Sequence, residues 1–191
     1  KGMRISEYFP GGLNPKIAFK DSISSSKRPE SLMPTPEEYG QSMIHFYEIW
    51  KSDPNPIDVR PITEIIRSFI VGKSEGCIYS QEACAHSIIG VKSTGEFYTC
   101  IRGAPEQQHL IDHVDNKPLN NYFKYANKTK ENRIKILKEG PCGTCEYWDY
   151  CNGGCPLESW KLYGDMNHRT WYCEGRKMIF KHILNDIKDL K

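Results

Sequence analysis

The sequence lacks any apolar run long enough to span a bilayer, and it lacks a recognisable export signal. Residues 1–15, KGMRISEYFPGGLNP, contain neither an apolar core segment nor a small-residue cleavage site. Its charges also nearly cancel, because 26 Lys and Arg oppose 24 Asp and Glu. A balance of this kind is not typical of a nucleic-acid-binding surface. We therefore expect a cytoplasmic protein with neither a membrane nor a nucleic acid as a partner.

An initiator methionine is absent as well, since the chain opens on Lys1 inside MRISEYFP, a predicted strand. This opening favours a fragment or a processed chain. The 191 residues are enough for one domain or for parts of two, and a hydrophobic fraction of 38% is ordinary for a globular protein.

Cysteine, in contrast, is abundant, with eight residues, about twice the usual frequency. Without an export signal, such cysteines bind metal more often than they form disulfides. All of them lie between 77 and 173, in two sets. The first set is Cys77, Cys84 and Cys100, and the second is Cys142, Cys145, Cys151, Cys155 and Cys173.

Local signals predict a helix from Pro36 up to SDPNP at 52–56. Thr35 is a suitable N-cap, Pro36 suits the first helical position, and Glu38 completes a capping box. The apolar residues of this helix recur at helical spacing. They are Tyr39, Met43, Phe46, Tyr47 and Trp50.

A second predicted helix follows Pro61 and ends at Gly72, and an amphipathic helix is predicted over 173–190. The apolar side of the second helix is predicted to contain Ile62, Ile65, Ile66, Phe69 and Ile70. Residues 87–100 are typical of a β-hairpin whose turn contains Gly95.

Residues 118–139 are polar and helix-prone, and their basic side chains predict a solvated helix face. These side chains are at 124, 128, 130, 133, 135 and 138.

The second cysteine set reads C-x2-C-x5-C-x3-C, followed after seventeen residues by a last cysteine. Disulfides rank third, because no motif favours one pairing. Zinc ranks second, because C-x2-C is common in zinc sites. Zinc ribbons, however, use two C-x2-C pairs, and this sequence has one. The nearest histidine, His168, is expected at the surface. Iron–sulfur ligation ranks first, because the ferredoxin run ends C-x3-C-P, as Cys155 and Pro156 do here. Gly153 and Gly154 would allow the backbone to approach a cluster.

The complete spacing resembles that of a SPASM domain, the C-terminal extension of radical S-adenosylmethionine enzymes that modify peptides and proteins. It comprises C-x10-G-x4-C from Cys84, the C-x2-C-x5-C-x3-C run and the final Cys173. The stretches TPEEYG, GCPLESW and YCEGRKMIFKH are similar to those of anaerobic sulfatase-maturating enzymes and their peptide-maturase relatives.

The resemblance implies an α+β chain: the C-terminal remnant of a partial (β/α)6 barrel, then a SPASM domain with a β-hairpin, cluster-binding loops and a C-terminal helix. The expected segments are 1–56 for the barrel end, 57–76 for a linker helix, 77–174 for the SPASM domain and 175–191 for the last helix.

The resemblance also implies two auxiliary 4Fe–4S clusters. Cys77, Cys84, Cys100 and Cys155 would hold the first, and Cys142, Cys145, Cys151 and Cys173 the second. S-adenosylmethionine and a third cluster belong to the rest of the barrel, because C-x3-C-x2-C is absent from these residues. The given chain alone should therefore be inactive.

The implied function is oxidative modification of a ribosomal precursor peptide or protein, with crosslink formation and electron relay through the two clusters. A flavodoxin or ferredoxin is the expected electron partner. Formylglycine synthesis is an alternative, although Ile101 stands where sulfatase-maturating enzymes place the proposed catalytic Asp. Two further alternatives are a stand-alone electron-transfer or peptide-docking module and a zinc-stabilised domain.

Other side chains near the cysteines carry weaker predictions. The aromatic residues Tyr147, Trp148, Tyr150, Trp160 and Trp171 are interpreted as packing around a cluster. Three arginines, Arg102, Arg169 and Arg176, are candidates for binding substrate or stabilising anionic clusters.

Overall fold

The structure is a computed structural model that describes residues 3–4, 34–76, 84, 89–98, 100, 110–116 and 119–188. For residues 3–4, 119–123 and 125–126 it describes the backbone only. Cys77, Ile101, Arg102 and the last three residues of the chain therefore lie outside the described residues.

Helix α1 spans Pro36–Ser52, and its capping box confirms the predicted start. The Thr35 hydroxyl accepts a hydrogen bond from the Glu38 amide at 3.1 Å, and the Glu38 carboxylate accepts one from the Thr35 amide at 2.8 Å. Two amides of the first turn are thus satisfied within the helix end itself.

Helix α2 spans Ile62–Val71 and ends, as predicted, at Gly72, whose φ is +81°. Ile62 and Ile65 are buried, but Ile70 is 72% exposed. The prediction that Ile70 lies on the packed side was therefore wrong. Ile70 lies about 80° around the helix from Ile62 and in the last turn, where the helix leaves the core.

Two small sheets accompany the helices. Strand β1, Met3–Arg4, pairs in parallel with β2, Val59–Arg60. Strands β3, Gly90–Val91, and β4, Glu96–Tyr98, form the predicted antiparallel hairpin, and Gly95 in its turn has a φ of +99°. Strand β5, Leu110–His113, pairs with β4 and was not predicted.

Four α-helices and a short 3-10 helix at Val114–Asn116 complete the described chain. Helix α3 at Leu119–Glu139 and helix α6 at Cys173–Lys188 confirm the predicted polar helix and the predicted amphipathic helix. Between them lie two short helices, α4 at Trp148–Cys151 and α5 at Pro156–Tyr163. None of the helices in the described part of the chain has the length and apolar content of a membrane span.

The core forms where α1 packs against α6, and other segments close it. The Tyr39 ring of α1 lies 4.5 Å from the Tyr172 ring, which precedes α6. All four segments expected from the sequence contribute to this core, and the boundaries between them stay predictions. The buried members are Tyr39, Met43, Tyr47, Ile62, Ile65, Tyr147, Leu162, Tyr172, Ile179, Phe180 and Ile183.

The backbones of α1 and α6 touch at two glycines. A Cβ atom on Gly40 would lie 2.9 Å from the Cα of Gly175, closer than real Cβ contacts. A Cβ atom on Gly175 would overlap the carbonyl oxygen of Pro36. The helix crossing therefore requires glycine at both positions.

We predict that Gly175→Ala destabilises the protein. Alanine favours a helix interior over glycine by about 1 kcal/mol, but overpacking costs typically about 1–3 kcal/mol. Because the added methyl group meets backbone, we expect the overpacking to win. The measurement is the midpoint of urea unfolding, with Asn185→Ala at an exposed position of the same helix as the control. A higher midpoint for Gly175→Ala than for the wild type would contradict the close contact.

Candidate metal centre

Four cysteines line one small cavity of about 20 Å³. Two come from the turns between α3 and α4, one is the last residue of α4, and one is the first residue of α6. They are Cys142, Cys145, Cys151 and Cys173.

A series of tight turns brings the first three cysteines to the same side. The Cys145 amide donates to the Cys142 carbonyl at 3.3 Å, and the Trp148 amide donates to the Cys145 carbonyl at 3.0 Å. The Cys151 amide then donates to the Tyr147 carbonyl at 2.9 Å. Each turn folds the chain back on itself, so cysteines separated by up to nine positions converge on one cavity.

Positive charge surrounds these thiols. The Arg169 guanidinium lies 3.5 Å from the Cys173 Sγ atom as a hydrogen-bond donor, and Lys177 also lines the cavity. Arg176 lines it too, and its guanidinium forms a buried ion pair at 2.9 Å with Glu158. Arg169 and Lys177 share a single carboxylate, that of Glu174, so these ion pairs leave a net positive charge beside the cavity. The surroundings therefore suit a group with net negative charge.

The protein alone does not favour ionisation of these thiols. Burial raises the pKa of the Cys142 thiol, and negative charge on Cys151 and Cys145 raises it further, against Arg169 and Arg133. Burial also raises the pKa of Cys173, although Arg169 opposes it. A bound metal removes this cost, because coordination deprotonates a thiol outright.

The donor set fits a four-iron cluster, which takes four cysteine thiolates bound to four different irons. Within the described residues, no three His, Cys, Asp or Glu side chains lie close enough to share a single metal ion. Thiolates on one zinc ion must all lie within about 2.3 Å of it, whereas a cluster holds its thiolates farther apart. The cavity is lined by four cysteines, which is the number of thiolates that such a cluster takes.

None of the seven described cysteines forms a disulfide. Cys155, the N-cap residue of α5, is not among the described residues that line this cavity. Burial lowers the pKa of Arg133, and negative charge on Cys155, Cys84 and Cys142 opposes that effect. Cys100 is half-buried beyond β4.

The turn between Cys151 and Cys155 separates the two groups of thiols. Its three residues all have positive φ: 49° at Asn152, 78° at Gly153 and 86° at Gly154. The Gly153 carbonyl accepts a hydrogen bond from the Thr170 amide at 2.8 Å. Glycine is the residue that adopts this conformation with little cost, which explains the Gly-Gly pair.

The remaining predicted side chains take ordinary structural places. His168 is more than half exposed and stacks on Tyr163, as expected for a surface histidine. Tyr147 is buried against Phe180 at a ring distance of 5.6 Å, and Trp148 lines the cavity.

Sequence reasoning missed Arg133, which was assigned to a solvated helix face. Its side chain is only 5% exposed, so that interpretation was wrong for this position. The available signal was spacing, because Arg133 precedes the buried Leu137 by four residues and shares its helix face.

Comparison with known proteins gives a structural likeness only. No protein-family model matches the chain, and no curated protein matches it. Eight chains in solved structures do match. Two are anSMEcpe with bound AdoMet, one carrying a hexahistidine tag and one native, each 18% identical with a TM-score of 0.66. The matches cover 86% of this chain and 43% and 45% of theirs.

A third structure, native anSMEcpe with bound AdoMet and Kp18Cys peptide, is 16% identical with a TM-score of 0.63. That match covers 86% of this chain and 46% of the other. The chain thus spans less than half the length of these structures. They are anaerobic sulfatase-maturating enzymes of the radical S-adenosylmethionine class. The helices and small sheets therefore match part of a radical S-adenosylmethionine enzyme fold, whereas the SPASM and partial-barrel assignments stay predictions.

We predict that Gly154→Ala destabilises the protein more than Gly164→Ala does. Both glycines have positive φ, so both substitutions incur the left-handed backbone cost of about 1–2 kcal/mol. A methyl group at Gly154 would also lie 2.5 Å from the Thr170 Cβ and 2.7 Å from the Arg176 guanidinium, whereas at Gly164 nothing lies within 4 Å. The urea midpoints of the two variants measure the difference. Equal midpoints would show that the turn is not crowded.

Proposed function

We propose that this chain is the part of a radical S-adenosylmethionine peptide-modifying enzyme that holds two auxiliary 4Fe–4S clusters. The supporting observation is the cavity lined by four cysteines, with Cys155 directed elsewhere by a left-handed turn. In the proposal, one cluster is bound by Cys142, Cys145, Cys151 and Cys173, and the other by Cys77, Cys84, Cys100 and Cys155.

When bound, such clusters supply one-electron transfer at potentials set by charge, hydrogen bonding and solvent exposure. The residues of this chain control all three. Arg169 and Lys177 offset the negative charge of the thiolates, and the Arg169 guanidinium donates toward the Cys173 sulfur. Tyr147 and Phe180 close the cavity on the core side and exclude water.

The proposed substrate is a ribosomal precursor peptide or protein, oxidised with formation of a crosslink. A matched structure of anSMEcpe contains a peptide and AdoMet, which supports a peptide substrate and a barrel that completes the enzyme. We further propose a flavodoxin or ferredoxin as the electron partner, in the cytoplasm. A formylglycine-forming activity is disfavoured, because the isoleucine side chain of Ile101 cannot accept a proton.

The division of ligands is tested by paired cysteine substitutions in the full-length protein, reconstituted anaerobically. Cys155→Ala should remove about four irons, since each cluster contains four. Adding Cys84→Ala should remove no more iron, because both residues serve the same cluster. Adding Cys151→Ala should remove about four more, because that residue serves the other cluster. Iron and acid-labile sulfide analysis gives the counts.

The reverse pattern, in which Cys155→Ala and Cys151→Ala together remove only about four irons, would contradict the division. A colourless wild-type protein with tightly bound zinc would contradict the function itself and support the zinc-stabilised domain.

A further inference from the structure

Arg133 is a buried cation whose described hydrogen bonds all go to backbone carbonyl groups. One guanidinium nitrogen, Nη1, donates to the carbonyls of Met166 and His168, the latter at 2.9 Å. The other, Nη2, donates to the carbonyls of Gly153 at 3.2 Å and Gly154 at 3.0 Å. Four carbonyl oxygens thus accept hydrogen bonds from the two terminal nitrogens of the guanidinium, and none of these acceptors is a carboxylate.

These carbonyls belong to the two segments that deliver the cysteines. Gly153 and Gly154 form the turn between Cys151 and Cys155, and the Gly154 carbonyl is part of the peptide bond to Cys155 itself. Met166 and His168 precede Cys173 in the loop between α5 and α6. One side chain on α3 therefore ties together segments that end in ligands of both proposed clusters.

The charge of Arg133 is not balanced by an ion pair with any carboxylate in the described part of the chain. Negative charge on one carboxylate, that of Glu158, acts on the pKa of Arg133, but Glu158 forms an ion pair with Arg176 at 2.9 Å. A buried charge without a counter-ion is destabilising, even when it is hydrogen-bonded. The position of Arg133 therefore favours the binding of an anionic group nearby.

The Arg133 guanidinium binds carbonyl groups of the turn between Cys151 and Cys155, so its charge lies close to a ligand of each proposed cluster. Burial lowers the pKa of Arg133, and negative charge on Cys155 and Cys84 gives the largest opposing contributions, followed by Glu158 and Cys142. Cys155 and Cys84 belong to one proposed set and Cys142 to the other. Arg133 thus lies within electrostatic range of both.

We propose that Arg133 is a positioning residue shared by both clusters, whose cation compensates their negative charge and whose four hydrogen bonds fix the loops that ligate them. This inference rests on the proposed function. A nearby positive charge stabilises the more negative, reduced form of a cluster, so Arg133 raises both midpoint potentials. Hydrogen bonds from residues that do not touch the metal also orient its ligands.

The test is an anaerobic redox titration of the full-length holoprotein, followed by electron paramagnetic resonance, with iron counted in parallel. We expect Arg133→Met to lower both auxiliary midpoints. At a fixed potential the ratio of reduced to oxidised cluster should fall about tenfold, which is 59 mV for a one-electron couple. Arg133→Lys keeps the positive charge but cannot make all four guanidinium hydrogen bonds to the loops. Its midpoint potentials should therefore stay near those of the wild type, while its iron content falls because the loops are held less firmly. Lys135→Met removes an exposed charge from the same helix and should change neither quantity.

Several outcomes would overturn the inference. Unchanged midpoints in an iron-replete Arg133→Met protein would exclude the charge effect, and a shift in only one cluster would exclude a shared role. If Arg133→Met loses its iron, the iron content of Arg133→Lys decides between the two roles. Partial recovery of both clusters in Arg133→Lys supports the inference. No recovery overturns the role of charge. A wild-type protein without iron and sulfide would refute the proposed function and this inference with it, which separates that failure from a failure at Arg133 alone.

Discussion

Three consecutive residues with positive φ, 152–154, reverse the chain between Cys151 and Cys155, and the arrangement of the cysteines depends on this turn. If residues 152–154 were extended, the chain would not reverse, and Cys151 and Cys155 would follow each other in one loop. In the left-handed conformation, Cys151 remains on the cavity and Cys155 begins a new helix outside it. Side chains are costly at such φ values, so the Gly-Gly pair follows directly from the geometry.

The position of this turn depends in part on contacts with the core. Gly154 leaves no room for a methyl group because Thr170 and Arg176 fill the adjacent space. Arg176 is held by Glu158 of α5, to which the Thr170 hydroxyl also donates a hydrogen bond. Arg176 lies on α6, whose backbone touches α1 at Gly40. The cysteine loop is therefore attached to the packed helices through close contacts, and a rigid attachment of this kind would fix the ligand positions of the proposed cluster.

Local features of the fold were predictable because their causes lie within a few residues. The capping box at Thr35, the helix end at Gly72 and the hairpin turn at Gly95 each follow from side chains that act on their own backbone. Strand β5 was missed, because its pairing with β4 joins residues more than ten positions apart. Ile70 was misplaced, because periodicity gives a helix face but not where the neighbouring core stops.

The sequence by itself determined which residues are candidates for metal ligation, because cysteine spacing and the Gly-Gly pair are written in the chain and thiol chemistry does not depend on the fold. Only the tertiary structure decided which of them share a cavity and that Arg133 is buried beside them. The reason is physical: convergence of Cys173 with Cys142 depends on the packing of α6, and the burial of a charge depends on what covers it. A basic side chain on a polar helix has the same local sequence whether it faces water or a loop of carbonyl groups.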